Sequence, residues 1–306
     1  MVRCIHMKKF SVAEFNKYIS KGKSKGSHEM ISPTAWTVAY RRTFSDIPYS
    51  KEIYQELEKN LVKNNIPNLP DEYKFLAMAP LFEARHKLIN KLVTAENNYQ
   101  ILDIAAGLTP RGLEMTRNKN ITYLEVDLPK IIKQKRLIVK EILKRDAAPS
   151  RKNLQMKVGD ALNLKSLKNA VVSLNNNKSL TIITEGLLRY LNFSEKKIVA
   201  ENVKVLLKKF GGVWITPDII FKRNLKPKFI ENNTRVAKLT GINLEENKFV
   251  SVETAKTFFQ DLGFTIEIHR FTEVLMNLIS PKRLRMSRKD VKEVIETRVV
   301  FVMRLK

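Results

Sequence analysis

The feature that most constrains the fold is a regular alternation of strand and helix patterns that begins at residue 100. Five short apolar segments are each followed by a segment whose apolar residues recur at helical spacing. These segments are 101–104, 121–128, 154–158, 180–184 and 213–216. Strands joined through helices pair in parallel, with right-handed connections. The alternation therefore predicts an α/β fold with a mostly parallel sheet and helices on both faces.

Two further strand patterns, at 264–271 and 298–305, follow the five strand–helix units. They extend the prediction to a seven-stranded sheet whose last strand enters antiparallel. Residues 219–250 are polar and interrupt the alternation, so we expect a helical insertion there. Upstream, residues 1–75 combine a basic tail with helical patterns. We expect them to form an N-terminal helical cap on a domain that spans residues 76–306.

Composition limits the class of protein further. The chain has 306 residues, of which 43% are hydrophobic, and this is enough for one large core. Its one cysteine, Cys4, excludes an intrachain disulfide and a cysteine-based zinc site, and we predict no metal site. The same scarcity favours a reducing, cytoplasmic location. No stretch approaches the roughly 18 apolar residues of a membrane-spanning helix, so no membrane span is expected.

The net charge of +25 arises from 56 lysines and arginines against 31 acidic residues. A charge of this size is typical of proteins that bind nucleic acid, an anionic membrane surface or an acidic partner. Lysine is nevertheless spread along the whole chain among many asparagines, which indicates a compositional bias. The positive charge is therefore only weak evidence for a nucleic-acid partner. Nucleic acid is an unlikely partner, although the charge does not exclude it.

An acidic residue stands at or near the carboxyl end of each of the five strands that open the sheet. These residues are Asp103, Asp127, Asp160, Glu185 and Asp218. In open α/β sheets the carboxyl ends of the strands form the ligand-binding edge. The sequence therefore predicts a binding site for a nucleotide-like ligand at this edge.

The first strand breaks into Ala105-Ala106-Gly107 before a helix begins. Such a turn lets backbone N–H groups approach a nucleotide-like ligand, with Gly107 at the closest point. Asp127, about twenty residues beyond the loop, fits an acceptor for ribose hydroxyls. It could alternatively cap the next helix. Asp160 could accept a hydrogen bond from the adenine amine, or it could be a turn residue.

Several motifs share a fixed order along residues 32–218. They are Ser32-Pro33-Thr34-Ala35, Glu83-Ala84-Arg85, the loop 103–111, Glu125-Val126-Asp127-Leu128-Pro129 with Lys135, Asp160-Ala161-Leu162, and Glu185-Gly186-Leu187-Leu188-Arg189-Tyr190-Leu191. The series resembles the leucine carboxyl methyltransferase family, which includes protein-phosphatase carboxyl methyltransferases and bacterial polyketide-type O-methyltransferases. The resemblance implies a Rossmann-like class I methyltransferase fold. It also implies S-adenosylmethionine as cofactor, with S-adenosylhomocysteine as product.

The resemblance implies roles for individual residues as well. Arg85 is expected to bind the cofactor carboxylate, Asp127 the ribose and Glu185 the amino-acid end of the cofactor. Asp103 lies inside its strand and is expected to brace the loop. With the loop and the adenine motif, the predicted cofactor-binding residues are Arg85, Asp103, Ala105, Gly107, Asp127, Asp160, Ala161, Leu162 and Glu185.

Two departures from the family pattern fall in the loop. Ala105 replaces the first glycine of Gly-x-Gly, and Thr109-Pro110-Arg111 replaces Asp-Thr-Arg. Because Ala105 adds only one methyl group, we expect cofactor binding to be retained. The C-terminal third matches the family in outline alone, so the resemblance does not identify the methyl acceptor.

The predicted function is O-methyl transfer to a carboxylate or hydroxyl of a small molecule or a protein C-terminus. The four histidines include no strand-end base, which favours an acceptor that is already acidic. Arg189 and Tyr190 are the candidate catalytic residues. One alternative is a nucleic-acid methyltransferase, although Thr184-Glu185-Gly186 lacks the Asn/Asp-Pro-Pro-aromatic pattern of N-methylating enzymes. Another is a non-catalytic cofactor-binding relic.

Overall fold

The seven predicted strands form one sheet in the computed structural model, which describes residues 32–64, 70–71, 74–146, 151–222, 227–240, 242 and 244–306. The strands are β1 Gln100–Ile104, β2 Thr122–Asp127, β3 Leu154–Val158, β4 Leu180–Thr184, β5 Gly212–Thr216, β6 Phe264–Arg270 and β7 Val299–Leu305. Their order in the sheet is β3-β2-β1-β4-β5-β7-β6. The basic tail predicted within residues 1–31 lies outside the described residues.

Strand directions agree with the prediction. β1 to β5 pair in parallel, whereas β7 runs antiparallel to both β5 and β6. The order of the sheet reverses between β1 and β4, so the carboxyl ends of these strands flank a crevice. The predicted α/β fold, a Rossmann-like and mostly parallel sheet of seven strands, is confirmed.

Helices cover both faces of the sheet. They are α1 Ser32–Arg42, α2 Ser50–Lys63, α3 Ala79–Ala95, α4 Arg111–Met115, α5 Pro129–Arg145, α6 Leu164–Ala170, α7 Phe193–Phe210, α8 Pro227–Thr240, α9 Val252–Asp261, α10 Ser280–Arg283 and α11 Arg288–Ile295. Neighbouring strand residues point to opposite faces, so Ile101 joins a core with α2, α3 and α5. Leu102 joins a second core with α6, α7 and α9.

The first two helices pack on each other, and α2 also packs on α5. Buried apolar side chains hold them there, among them Trp36, Ile53 and Leu57. α1 thereby reaches the carboxyl edge of the sheet. α8 lies inside the segment that we predict to be an insertion, and the division of the chain at residue 75 stays a prediction. No helix within the described residues has the length and apolarity to cross a bilayer.

Candidate active site

A cavity of about 370 Å³ opens at the carboxyl edge of the sheet, between α1, α3 and the loops that follow β1 to β4. Nearly all of the predicted site residues lie on its wall. Those on the wall are Arg85, Ala105, Gly107, Asp127, Asp160, Ala161, Leu162, Glu185, Arg189 and Tyr190. The topology therefore brings together side chains that are up to about a hundred residues apart in sequence.

Asp103 is the predicted site residue that does not line the cavity. Its side chain is fully buried and accepts a hydrogen bond of 2.8 Å from the Tyr123 hydroxyl. A nitrogen of the Arg111 guanidinium lies 3.7 Å from the same carboxylate oxygen. Burial raises the pKa of Asp103 to about 6, although the charge of Arg111 opposes the rise. These contacts join β1 to β2 and to Arg111 at the start of the next helix, and the expected bracing of the loop stays a prediction.

The loop after β1 turns through two residues with left-handed backbone conformation, Ala105 at φ 59° and Gly107 at φ 52°. The N–H groups of Ala105 and Ala106 both donate to the carbonyl oxygen of Val126, at 2.8 and 3.3 Å. These bonds hold the turn against β2. A left-handed φ favours glycine, so the alanine at position 105 carries strain that the family's usual glycine would avoid.

Asp127 links the end of β2 to this loop. One of its carboxylate oxygens accepts from the Gly107 N–H and the other from the Leu128 N–H, each at 2.7 Å. Burial raises the pKa of Asp127, while the two N–H groups oppose that rise. The alternative role as a helix cap is not observed, because Leu128 holds the N-cap position of α5. The carboxylate lines the cavity, and its hydrogen bonds with Gly107 and Leu128 fix its orientation.

Asp160 was predicted to be either an acceptor for the adenine amine or a turn residue. It lies in a turn and also lines the cavity. Its side chain accepts from the Leu162 N–H at 2.9 Å, and its own N–H donates to Ser166 at 3.2 Å. The Ala161 carbonyl accepts from Asn202 at 2.8 Å. These bonds fix the backbone of the segment that we expect beside the adenine ring.

Glu185 lies at the centre of a cluster of three arginines. Arg85 and Arg111 approach its carboxylate at 2.8 and 2.7 Å, and Arg42 forms a third ion pair with it. Burial opposes ionisation, yet the three guanidinium groups hold the pKa of Glu185 well below its usual range. Glu185 is therefore a permanent carboxylate at neutral pH. It is too weak a base to take up a proton there.

Sequence reasoning missed the parts that Arg42 and Arg111 play. Arg111 belongs to one of the family motifs, so its position in that pattern is a signal that could have found it. Arg42 ends α1, outside any of the motifs, and only the packing of the cap brings it to Glu185. The local sequence around Arg42 carries no signal for this contact.

A hydrogen-bonded network fixes Arg111 from behind. Its Nε donates to the Asn90 side chain at 2.8 Å, and Asn90 donates to Glu114 at 3.0 Å. His86 lies 2.8 Å from the same Glu114 oxygen and 3.4 Å from the Arg111 guanidinium. Burial, followed by the charge of Arg111, lowers the pKa of His86 to about 4. His86 is thus a neutral, buried partner and is absent from the cavity wall.

The fifth strand-end acid, Asp218, shapes the loop after β4. Its carboxylate accepts from the N–H groups of Gly186, Leu187 and Leu188, at 2.8, 2.7 and 3.0 Å. Three such bonds satisfy a buried carboxylate and hold the loop in one conformation. The short 3-10 helix Leu188–Tyr190 follows directly. Asp218 therefore positions both candidate catalytic residues without touching the cavity.

Tyr190 and Arg189 lie next to each other on the cavity wall. The Tyr190 hydroxyl lies 3.2 Å from the Thr34 hydroxyl on α1. The Arg189 guanidinium carbon lies 5.3 Å from the centroid of the Tyr190 ring. A hydroxyl and a guanidinium side by side can both donate to one carboxylate.

A family model described as leucine carboxyl methyltransferase matches residues 35–204, which is more than half of the chain. The matched segment begins in α1 and ends in α7, so it contains every predicted site residue. No curated protein matches the chain.

The chain is similar to several solved structures at low sequence identity. A DUF574 family protein from Streptomyces avermitilis is 14% identical, covers 91% of this chain and 100% of its own, and superposes with a TM-score of 0.53. A protein described as an O-methyltransferase from Nostoc punctiforme is 15% identical, covers 87% and 72%, and has a TM-score of 0.46. Magnesium protoporphyrin IX methyltransferase from Synechocystis, with bound S-adenosylhomocysteine, is 10% identical over 82% and 94%, with a TM-score of 0.46.

Proposed function

Because this chain belongs to the leucine carboxyl methyltransferase family and is an S-adenosylmethionine-dependent methyltransferase, we propose that it methylates a carboxylate of a small molecule or of a protein C-terminus. One observation carries the choice of a carboxylate over a hydroxyl. Among the residues that the structure describes, the cavity wall holds no histidine, and each carboxylate on it has hydrogen-bond or ion-pair partners. An alcohol or phenol acceptor usually needs a general base, whereas a carboxylate is ionised at neutral pH.

The donor set of the cavity fits the cofactor. Arg85 offers a guanidinium for the carboxylate of the cofactor, and Glu185 offers a carboxylate for its ammonium group. Asp127 and Asp160 offer acceptors for the ribose hydroxyls and the adenine amine. At Gly107, a β-carbon added to the backbone would meet no atom closer than 3.9 Å, so the backbone borders open space toward the cavity. These assignments are proposals about the roles of the individual residues.

When bound, the cofactor supplies an electrophilic methyl group on a sulfonium that is already a good leaving group. The protein has to orient the acceptor and exclude water. In our proposal Tyr190 and Arg189 donate hydrogen bonds to the acceptor carboxylate and aim one of its oxygens at the methyl group. α1 closes this side through Thr34, Ala35 and Val38, which all line the cavity. No proton has to move in this reaction, and the described part of the wall offers no histidine that would accept one.

The experiment is to incubate the protein with methyl-labelled S-adenosylmethionine and pairs of compounds, each a carboxylic acid and its carboxamide. Acids should acquire label that alkali releases as methanol, since methyl esters hydrolyse whereas ethers and N-methyl groups do not. The amides should stay unlabelled. Tyr190→Phe and Arg189→Met should reduce the rate, while the exposed Lys208→Met serves as a matched surface control. Alkali-stable label, or label in added RNA, would contradict the proposal.

A further inference from the structure

Thr109 stands where the family pattern has an aspartate, at the point where the loop after β1 leads into α4. The residue is 4% exposed and lines the cavity. Its hydroxyl oxygen is buried and has no hydrogen-bond partner among the described residues. Its backbone is held in place, since the Thr109 N–H donates to the Ala106 carbonyl oxygen at 3.1 Å. Thr109 is therefore a fixed residue of the wall whose hydroxyl no described residue uses.

Buried threonines elsewhere in the fold satisfy their hydroxyl groups. Thr37 and Thr116 donate to backbone carbonyl oxygens, at 2.8 and 2.6 Å. Thr184 accepts from the indole N–H of Trp214 at 3.0 Å. A buried hydroxyl that lacks a partner destabilises the folded protein. The exception at Thr109 lies on a cavity wall, where a ligand can supply the missing partner.

The loop that carries Thr109 runs from one acid of the site to another. At Gly107 its N–H donates to Asp127, the proposed acceptor for the ribose, at 2.7 Å. Just beyond the loop, Arg111 lies 2.7 Å from Glu185, which we assign to the amino-acid end of the cofactor. Thr109 stands midway between these two contacts in the sequence, and the turn lines the cavity as far as this residue. We therefore expect Thr109 to face the amino-acid chain of the bound cofactor.

Positive charge is in excess at that end of the cavity. Arg42, Arg85 and Arg111 all pair with the single carboxylate of Glu185. A second acid, Asp103, lies 3.7 Å from Arg111. The Nε atoms of Arg42 and Arg85 are buried without a hydrogen-bond partner among the described residues. Buried donors beside cations favour an anionic ligand group, and the anionic group of the cofactor is its carboxylate.

We infer that Thr109 is a cofactor-binding residue whose hydroxyl donates a hydrogen bond to the carboxylate of S-adenosylmethionine, beside Arg85. Rotation about χ1 exchanges the hydroxyl and methyl groups of a threonine, so the hydroxyl can reach the ligand without movement of the backbone. An ionised aspartate at this position could not donate such a bond, so the contact departs from the family pattern. The inference rests on the assignment of Arg85 made under the proposed function.

The test compares three compounds by calorimetry. They are S-adenosylhomocysteine, its decarboxylated analogue, which keeps the amine, and 5′-methylthioadenosine, which lacks both groups. Thr109→Val removes the hydroxyl and keeps the shape of the side chain. It should weaken the binding of S-adenosylhomocysteine about tenfold, as expected for one hydrogen bond to a charged group, and leave the other two affinities unchanged. Thr109→Ser keeps the hydroxyl and should bind S-adenosylhomocysteine like the wild type.

Thermal unfolding gives a second measurement. Because the hydroxyl has no partner among the described residues, Thr109→Val without ligand should unfold at or above the melting temperature of the wild type. Saturating S-adenosylhomocysteine should raise that temperature less in the variant than in the wild type. Thr184→Val is the matched control, since it leaves the Trp214 N–H without its acceptor and should lower the melting temperature.

Three results would overturn the inference. Thr109→Val could weaken all three compounds equally, which would mean that the residue only shapes the loop. It could leave the affinity for S-adenosylhomocysteine unchanged, or weaken both compounds that carry the amine, which would assign the hydroxyl to the ammonium group. A melting temperature of the ligand-free variant below that of the wild type would also contradict it, because the hydroxyl would then have a partner within the protein.

The inference and the proposed function can fail separately. Arg85→Met should weaken S-adenosylhomocysteine but not its decarboxylated analogue. If it weakens neither, the assignment of Arg85 is wrong, whereas a selective loss in Thr109→Val still places the carboxylate at Thr109. No methyl group is transferred in these experiments, so an alkali-stable product would reject carboxyl methylation and leave the role of Thr109 intact.

Discussion

Replacing Ala105 with glycine should stabilise the protein, against the usual effect of an alanine-to-glycine change. Ala105 has φ 59° in the loop that closes the cofactor site. An L-residue other than glycine in this conformation costs about 1–2 kcal/mol. Glycine removes that cost. The unfolded chain has more conformational freedom with glycine, however, and this offsets about 0.5–1 kcal/mol of the gain in stability. The net expectation for Ala105→Gly is a gain of about 0.5–1 kcal/mol.

The neighbouring Ala106 provides a matched control, because it belongs to the same turn but is not among the residues with positive φ. Ala106→Gly brings the same entropic loss without relief of strain. It also removes a buried methyl group, since Ala106 is 5% exposed, which costs about 0.8 kcal/mol. We expect Ala106→Gly to destabilise the protein by about 1.5 kcal/mol in total.

Thermal unfolding distinguishes the two variants by the sign of the shift. At about 2 °C per kcal/mol for a chain of this size, Ala105→Gly should raise the melting temperature by about 1–2 °C. Ala106→Gly should lower it by about 3 °C. If both variants lower the melting temperature by similar amounts, Ala105 is not strained and our description of the loop is wrong.

Three further predictions concern the charged groups of the site. Glu185→Gln leaves three buried guanidinium groups without their shared carboxylate. Urea denaturation should therefore show that the free energy of unfolding falls by about 3–5 kcal/mol. A fall of less than about 1 kcal/mol would mean that the cluster is well hydrated. Asp127→Asn should weaken the binding of S-adenosylhomocysteine, measured by calorimetry, by about ten- to a hundredfold. Asp146→Asn, which lies outside the cavity, should leave the affinity unchanged. Equal affinities for the two variants would show that Asp127 does not bind the cofactor. The folded pKa of His86 is lowered from 6.5 to about 4, so its contribution to stability is complete above pH 6.5 and is lost as the pH falls through about 4. That contribution is about 3 kcal/mol, and the stability of His86→Gln should therefore fall less between pH 7 and pH 4 than that of the wild type. Parallel curves would show that folding does not lower the pKa of His86.

The sheet was predictable because strand patterns and strand-end residues are local features of the sequence. Each apolar run lies within a residue or two of an observed strand. The acids that follow the runs converge because parallel strands share one carboxyl edge. The same logic predicts, from the sequence alone, that Asp127, Asp160 and Glu185 share a common wall.

The electrostatic surroundings of these residues could not be predicted in the same way. The position of Glu185 assigns it to the amino-acid end of the cofactor, but its three arginine partners come from α1, α3 and α4. Contacts of this kind depend on how helices pack, and no periodicity in the sequence reports them. The left-handed φ of Ala105 could not be predicted either, because alanine favours negative φ and its presence does not indicate such a turn.

The most direct test of the central claim is a crystal structure with S-adenosylhomocysteine bound. We predict that the Asp127 carboxylate lies within about 3.2 Å of a ribose hydroxyl and that the sulfur faces Tyr190 and Arg189 across open space. An Asp127 carboxylate more than about 3.5 Å from both ribose oxygens without a bridging water, or a sulfur turned away from Tyr190, would contradict it.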